Sequence, residues 1–81
     1  MNPQQKESTY LKLLASRIER LRVKKGLKQY DLGVDERTIR RIENVEDNFN
    51  PSYFTLIKIS ETLGIPISEL LDFSDEKKKT K

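Results

Sequence analysis

Ten residues carry most of the recognisable chemistry of this chain, Asp35 to Asn44, DERTIRRIEN. Ile39 and Ile42 lie three apart, the spacing of a helix with one buried edge, and around them stand Glu36, Arg37, Arg40 and Arg41, which must face outward. A row of guanidinium groups on a helix suits recognition of an anion more than the making and breaking of bonds. Gly33 supplies a turn just ahead, and Asp35 has the short oxygen-bearing side chain that can accept from the N–H groups of a first helical turn. The same ten residues also fit a solvated basic helix with an ordinary apolar seam, so the flanks must decide.

Catalysis starts from a poor position. The chain contains no Cys and no His, which removes disulfides, thiolate sites, the commonest general base and the commonest metal ligand. A carboxylate-bound metal would have to come from Asp31, Asp35, Glu36, Glu46 and Asp47, which are scattered among turns and helix starts without a metal-ligand spacing. The expectation is a protein that is not an enzyme, with no cofactor and no evident small-molecule ligand. The net charge of +3 is unevenly spread: residues 17 to 41 hold nine Lys/Arg against four acids, whereas residues 42 to 81 hold five against eight. The positive field therefore coincides with the arginine-rich stretch and can steer a polyanion to one face. No apolar run approaches the ~18 residues of a membrane span. The start, MNPQQKEST, lacks the basic head and apolar body of a signal peptide, so a cytoplasmic location is expected.

Eighty-one residues suffice for one domain and leave no room for a second. Residues 1–7 are polar with an early proline and read as a flexible lead. Ser8 can cap a first helix carrying Leu11, Leu14, Ile18 and Leu21, which Gly26 should end after Lys24 and Lys25. Leu27 then turns back toward the core. Lys28 to Leu32 has room for little more than one turn, where Gln29, at a helix start, can hold a phosphate or simply lie exposed. Beyond the arginine-rich helix, Asn44 tolerates the left-handed conformation that ends helices, and VEDNFNP is rich in turn formers. Ser52 can cap a further helix with Tyr53, Leu56, Ile59, Ser60 and Leu63 inward and Gly64 as its stop. Ile65-Pro66 is extended, and Ser68 can cap a last short helix covered by Leu70, Leu71 and Phe73. The tail 74–81, SDEKKKTK, has nothing to bury and reads as flexible. No stretch alternates like a strand, so residues 8–73 are expected to form an all-α domain of five helices.

Taken together, LASRIERLRVKKGLKQ, GVDERTIRRIEN and NPSYFTLIKISETLGIPISELL resemble, in that order, the Cro/repressor-like helix-turn-helix family, also called the XRE family. The likeness spans roughly residues 11 to 72 and implies a phage-repressor-like fold that binds double-stranded DNA. It places Glu36, Arg37 and Arg41 where family members commonly reach base edges, and Asp35 and Arg40 where they touch a base or a phosphate nearby. Arginine can donate a bidentate pair to guanine, and a carboxylate can accept from cytosine N4, which together suggest a G·C-containing half-site. Glu36 and Arg40, four apart, can equally pair with each other and leave Glu36 as an orienter. By the same resemblance Gln29 would hold a phosphate, with Lys28, Thr38 and Asn44 as secondary backbone contacts. Arg22 and Glu43 match a pair that in related repressors joins the first helix to the end of the recognition helix.

The chain departs from the family pattern twice. Between Gln29 and Gly33 about one helical turn is missing, which shortens the second helix and predicts an unusual angle for the recognition helix. After that helix a common glycine is Val45, and usual basic positions are Glu46 and Asp47, an acidic loop that weakens phosphate binding unless it points away. A single recognition helix buries little surface, so a homodimer is expected. Its contacts would come from Phe54, Ile57, Ile67, Leu71 and Phe73, although for Ile67 and Leu71 plain core packing is the stronger reading. The function this predicts is that of a repressor or autoregulator acting by operator occupancy. The alternative is an antitoxin-like or anti-repressor interaction module that keeps the fold without base readout.

Overall fold

In the computed structural model, which describes residues 3–79, the first helix is the longest element and the others are arranged around it. Helix α1 runs Pro3–Lys24, so it begins ahead of Ser8, which is an interior residue and not a cap. Proline is well accommodated at a first helical position, and Gln4, Gln5, Lys6 and Glu7 all favour helix, so the expected lead is continuous with α1 from Pro3 onward. Met1 and Asn2 lie outside the described residues, as do Thr80 and Lys81. The helix ends as its sequence requires. Gly26 takes a φ of 73°, and the Leu27 N–H closes back on the Arg22 carbonyl at 3.0 Å, delivering Leu27 to the core.

The second helix is reduced to a 3-10 turn, Gln29–Asp31, in which the Asp31 carboxylate accepts the Lys28 N–H at 2.9 Å. Leu32 follows, fully buried, and then Gly33 at φ 81°. A side chain at Gly33 would overlap the Thr62 hydroxyl, so this corner needs glycine both for its conformation and for the close approach of the chain to Thr62. Helix α2, Glu36–Glu43, buries Ile39 and Ile42 and packs on α1 and the 3-10 turn. Asp35 occupies its N-cap position but makes no side-chain capping bond, contrary to expectation. The left-handed residue after α2 is Val45, at φ 50°, and not Asn44, which stays right-handed. Asp47 and Asn48, in a second 3-10 turn (Glu46–Asn48), are also left-handed. Asn and Asp tolerate that region; a β-branched valine does so only under strain.

Helix α3, Tyr53–Leu63, is capped by Ser52, whose hydroxyl accepts the Thr55 N–H at 3.1 Å, and Gly64 ends it at φ 73°. Leu56, Ile59, Ser60 and Leu63 point inward, but Tyr53 is 65% exposed. At the first residue of α3 the inward stripe has run past the end of the core. Helix α4, Ile67–Leu70, starts from Pro66, which leaves Ser68 inside the helix instead of capping it; Leu70 is its buried anchor. The core joins Leu14, Ile18, Leu32, Ile39, Ile42, Leu56, Ile59, Leu63 and Leu70, with Ile67, Leu71 and Phe73 packed against it. Phe73 meets Tyr10 edge to face at 5.6 Å, and this burial pushes the Tyr10 phenol pKa up.

The tail expected to be flexible instead forms a helix, α5, over Ser74–Lys79, packed on α1. Composition misleads here because the contact is ionic. Glu76, 1% exposed, accepts from Arg20 Nε at 2.6 Å and lies 3.9 Å from an Arg17 guanidinium nitrogen. Asp72 organises the start of the helix by accepting both the N–H and the hydroxyl of Ser74, which holds its carboxyl pKa below the usual value. Asp75 and Glu76 in the first turn also suit the positive end of the helix dipole. Among the described residues no helix is long and apolar enough to cross a membrane.

Candidate nucleic-acid interface

The back of α2 is fixed before its front can be used. Its isoleucines enter the core, and its last residue, Glu43, anchors the C-terminal end. Arg22 donates to both Glu43 oxygens, from Nε at 2.8 Å and Nη2 at 3.0 Å, and from Nη1 to the Leu27 carbonyl at 2.9 Å. Gln29 Nε2 adds a bond to Glu43 at 3.0 Å. One carboxylate thus ties together the end of α2, the end of α1 and the 3-10 turn. Hydrogen bonding to Glu43 raises the Arg22 pKa above an already high ordinary value, so the guanidinium stays charged.

The outer face is polar and open. Glu36, Arg37 and Arg40 are exposed, and Asp35 is exposed at the helix start. Among the described residues no ion pair joins Glu36 to Arg40, so the pairing that would make Glu36 an orienter is not formed. Arg37 and Arg41 are one turn apart and share a side of α2. Arg41 is half-buried, with its guanidinium 4.1 Å from the centre of the Phe49 ring. This cation–π contact limits the rotamers of a long side chain and orients its donor edge. Phe49 was not singled out from the sequence: it comes from an irregular loop and follows no periodicity shared with Arg41.

The expected phosphate contacts are differently placed. Lys28, Arg40 and Asn44 are exposed, while Thr38 and Gln29 are half-buried. Gln29 is engaged by Glu43 through one amide N–H, and an amide nitrogen has a second to offer. Glu46 and Asp47 are exposed. Of the residues expected at a dimer contact, Phe54 is 67% exposed with the Lys58 ammonium 5.0 Å from its ring centre, and Ile57 is half-buried on the same helix. Ile67, Leu71 and Phe73 are half-buried against the core of their own chain. Two groups went unnoticed in the sequence, the Arg17–Arg20–Glu76 cluster and the Gln29–Glu43 bond, because both join residues far apart in the chain.

No curated protein and no solved structure matches the chain. A helix-turn-helix family model matches residues 18–70, from the middle of α1 through α4, and so takes in the 3-10 turn, α2 and the Arg22–Glu43 link. With the motif order, the all-helical architecture and the exposed arginines of α2 all in agreement, the chain belongs to the Cro/repressor-like (XRE) helix-turn-helix family of DNA-binding regulators.

Proposed function

We propose that this protein is a sequence-specific regulator that binds double-stranded operator DNA as a homodimer and acts, as a repressor or autoregulator, by occupancy. The observation that carries the reading is the two-sidedness of α2: Ile39, Ile42 and Glu43 are held from behind, while Arg37 and Arg40 stand exposed and Arg41 lies braced on Phe49. In this reading α2 enters the major groove. Asp35, Glu36, Arg37 and Arg41 face base edges, and Lys28, Gln29, Thr38, Arg40 and Asn44 face phosphates. Two copies meet through Phe54 and Ile57, with Ile67, Leu71 and Phe73 at the margin, which leaves the two α2 helices available to successive half-sites.

A second reading, an antitoxin-like or anti-repressor module without base readout, is favoured by one pair of features: the second helix is a bare 3-10 turn, and the loop after α2 exposes Glu46 and Asp47. Selection of bound sequences from a random duplex pool separates the two. A regulator enriches a two-fold motif, and its binding weakens with salt by a log–log slope of about −0.9 per phosphate neutralised. Recovery of an unenriched pool, with binding independent of sequence, would favour the interaction module.

A further inference from the structure

Helix α5 cannot stand alone. Its six residues, SDEKKK, include no apolar side chain, and so short a helix has no stability of its own in water. It is nevertheless docked on α1, and the carboxylate it buries there is that of Glu76. Glu76 lies between two guanidinium groups, hydrogen-bonded to Arg20 Nε at 2.6 Å and 3.9 Å from Arg17 Nη1. Arg17, 6% exposed, also donates to the Glu69 carbonyl of α4 at 2.7 Å. The fit is incomplete. Arg17 Nε and Arg20 Nη2 are buried without a hydrogen-bond partner, and Asp75, 4.0 Å from Arg20 Nη2, is too far away to supply one. This face therefore has more donors than α5 satisfies, and buried unsatisfied donors are costly.

The bound helix indicates what the face accepts, namely a carboxylate carried on a helix. A helix with two carboxylates three or four residues apart places both on one side and can hydrogen-bond both guanidinium groups, whereas Glu76 of α5 hydrogen-bonds Arg20 and meets Arg17 only at 3.9 Å. Glu76 is 1% exposed, so the position it takes is enclosed and suits a side-chain carboxylate that can reach in from a helix. We propose that the Arg17–Arg20 face of α1 is a docking surface for an acidic helix of a partner protein, covered in the resting chain by α5 as a stand-in. The partner gains access only when α5 lifts, so its apparent affinity is reduced by the fraction of molecules in which α5 is undocked. Docking here needs nothing from α2 and is independent of the DNA-binding reading.

The test uses the full chain and a blocked, fluorescein-labelled, alanine-rich peptide with two glutamates four apart, beside a control with glutamines in their place. In the unmodified protein, the glutamate peptide should increase amide hydrogen exchange over residues 74–79 as α5 is displaced, and the glutamine peptide should not. Glu76→Gln weakens the stand-in and should tighten peptide binding, read by fluorescence anisotropy, by about tenfold or more. Adding Arg20→Gln should abolish that gain. If Glu76→Gln does not fold by circular dichroism, the exchange measurement on the unmodified chain decides alone. Exchange unchanged at saturating peptide, equal binding of the glutamine peptide, a gain that survives Arg20→Gln, or equal release of α5 by a short DNA duplex would each overturn the proposal.

Discussion

Glu43→Ala is the perturbation that most directly tests how α2 is held. The side chains of Glu43 and Arg22 are 4% and 12% exposed, and the carboxylate accepts from Arg22 twice and from Gln29 once. Removing it leaves the Arg22 guanidinium nearly buried with the Leu27 carbonyl as its remaining hydrogen-bond partner, and breaking a buried pair from one side costs about 3–5 kcal/mol. The Gln29 bond adds little, because its half-buried amide can turn to water. At about 4–8 °C per kcal/mol for a domain of this size, the melting temperature should fall by at least ~12 °C. Arg22→Ala combined with Glu43→Ala removes the charge instead of stranding it, so the double mutant should be more stable than the sum of the singles, by about 2–3 kcal/mol of coupling. Urea unfolding followed by circular dichroism gives all corners of the cycle. Asp75→Ala is the internal control: Asp75 is 65% exposed and lies 4.0 Å from Arg20, so breaking this ion pair should cost less than about 1 kcal/mol. If Glu43→Ala costs no more than Asp75→Ala, or the coupling falls below ~0.5 kcal/mol, Glu43 does not anchor α2.

Four further outcomes are expected. Val45→Asn should raise the melting temperature, since asparagine tolerates the left-handed conformation that strains valine; the gain should be about 1 kcal/mol in urea unfolding. Gly33→Ala should destabilise by at least ~1 kcal/mol, and adding Thr62→Ala should recover only part of the loss, because it removes the overlap but not the positive φ. Arg37→Ala should cost ~1–3 kcal/mol on the preferred DNA and relax one base position, whereas Gln29→Ala should weaken all sequences alike, as titrations against single-base variants would register. Phe54→Lys with Ile57→Lys should shift sedimentation toward monomer and lower operator affinity at unchanged helicity; a variant that stays dimeric would move the interface elsewhere.

The sequence was most legible where local chemistry dominates. Gly26, Ser52 and Gly64 mark helix ends because a left-handed turn or a capping oxygen is settled within a few residues, and Ile39, Ile42, Leu56, Ile59 and Leu63 declare their burial by spacing alone. It was least legible where a distant partner decides. Nothing in SDEKKK announces a docked helix, since its anchor, Glu76, depends on arginines at the other end of the chain. Ser8 and Ser68 are sound caps by composition, yet each lies inside a helix, because Pro3 and Pro66 offer earlier starts. For the candidate interface, the arginines of α2 were visible in the sequence, whereas the brace that Phe49 gives to Arg41 and the bond between Gln29 and Glu43 were not.

The missing turn of the second helix changes what controls the orientation of α2. A full helix would carry its own geometry into the corner, but a three-residue 3-10 turn has no independent stability and cannot orient anything by itself. Orientation must then come from contacts remote in sequence. Glu43 is held to Arg22 and Gln29 at one end; at the other, Leu32 is sunk in the core and Gly33 lies against Thr62 of α3. Gln29 excepted, the residues that impose these restraints are not among those that would face DNA. Changing them should therefore tilt α2 without unwinding it, so that base preference shifts across several positions together while the helix content and the arginines themselves remain intact.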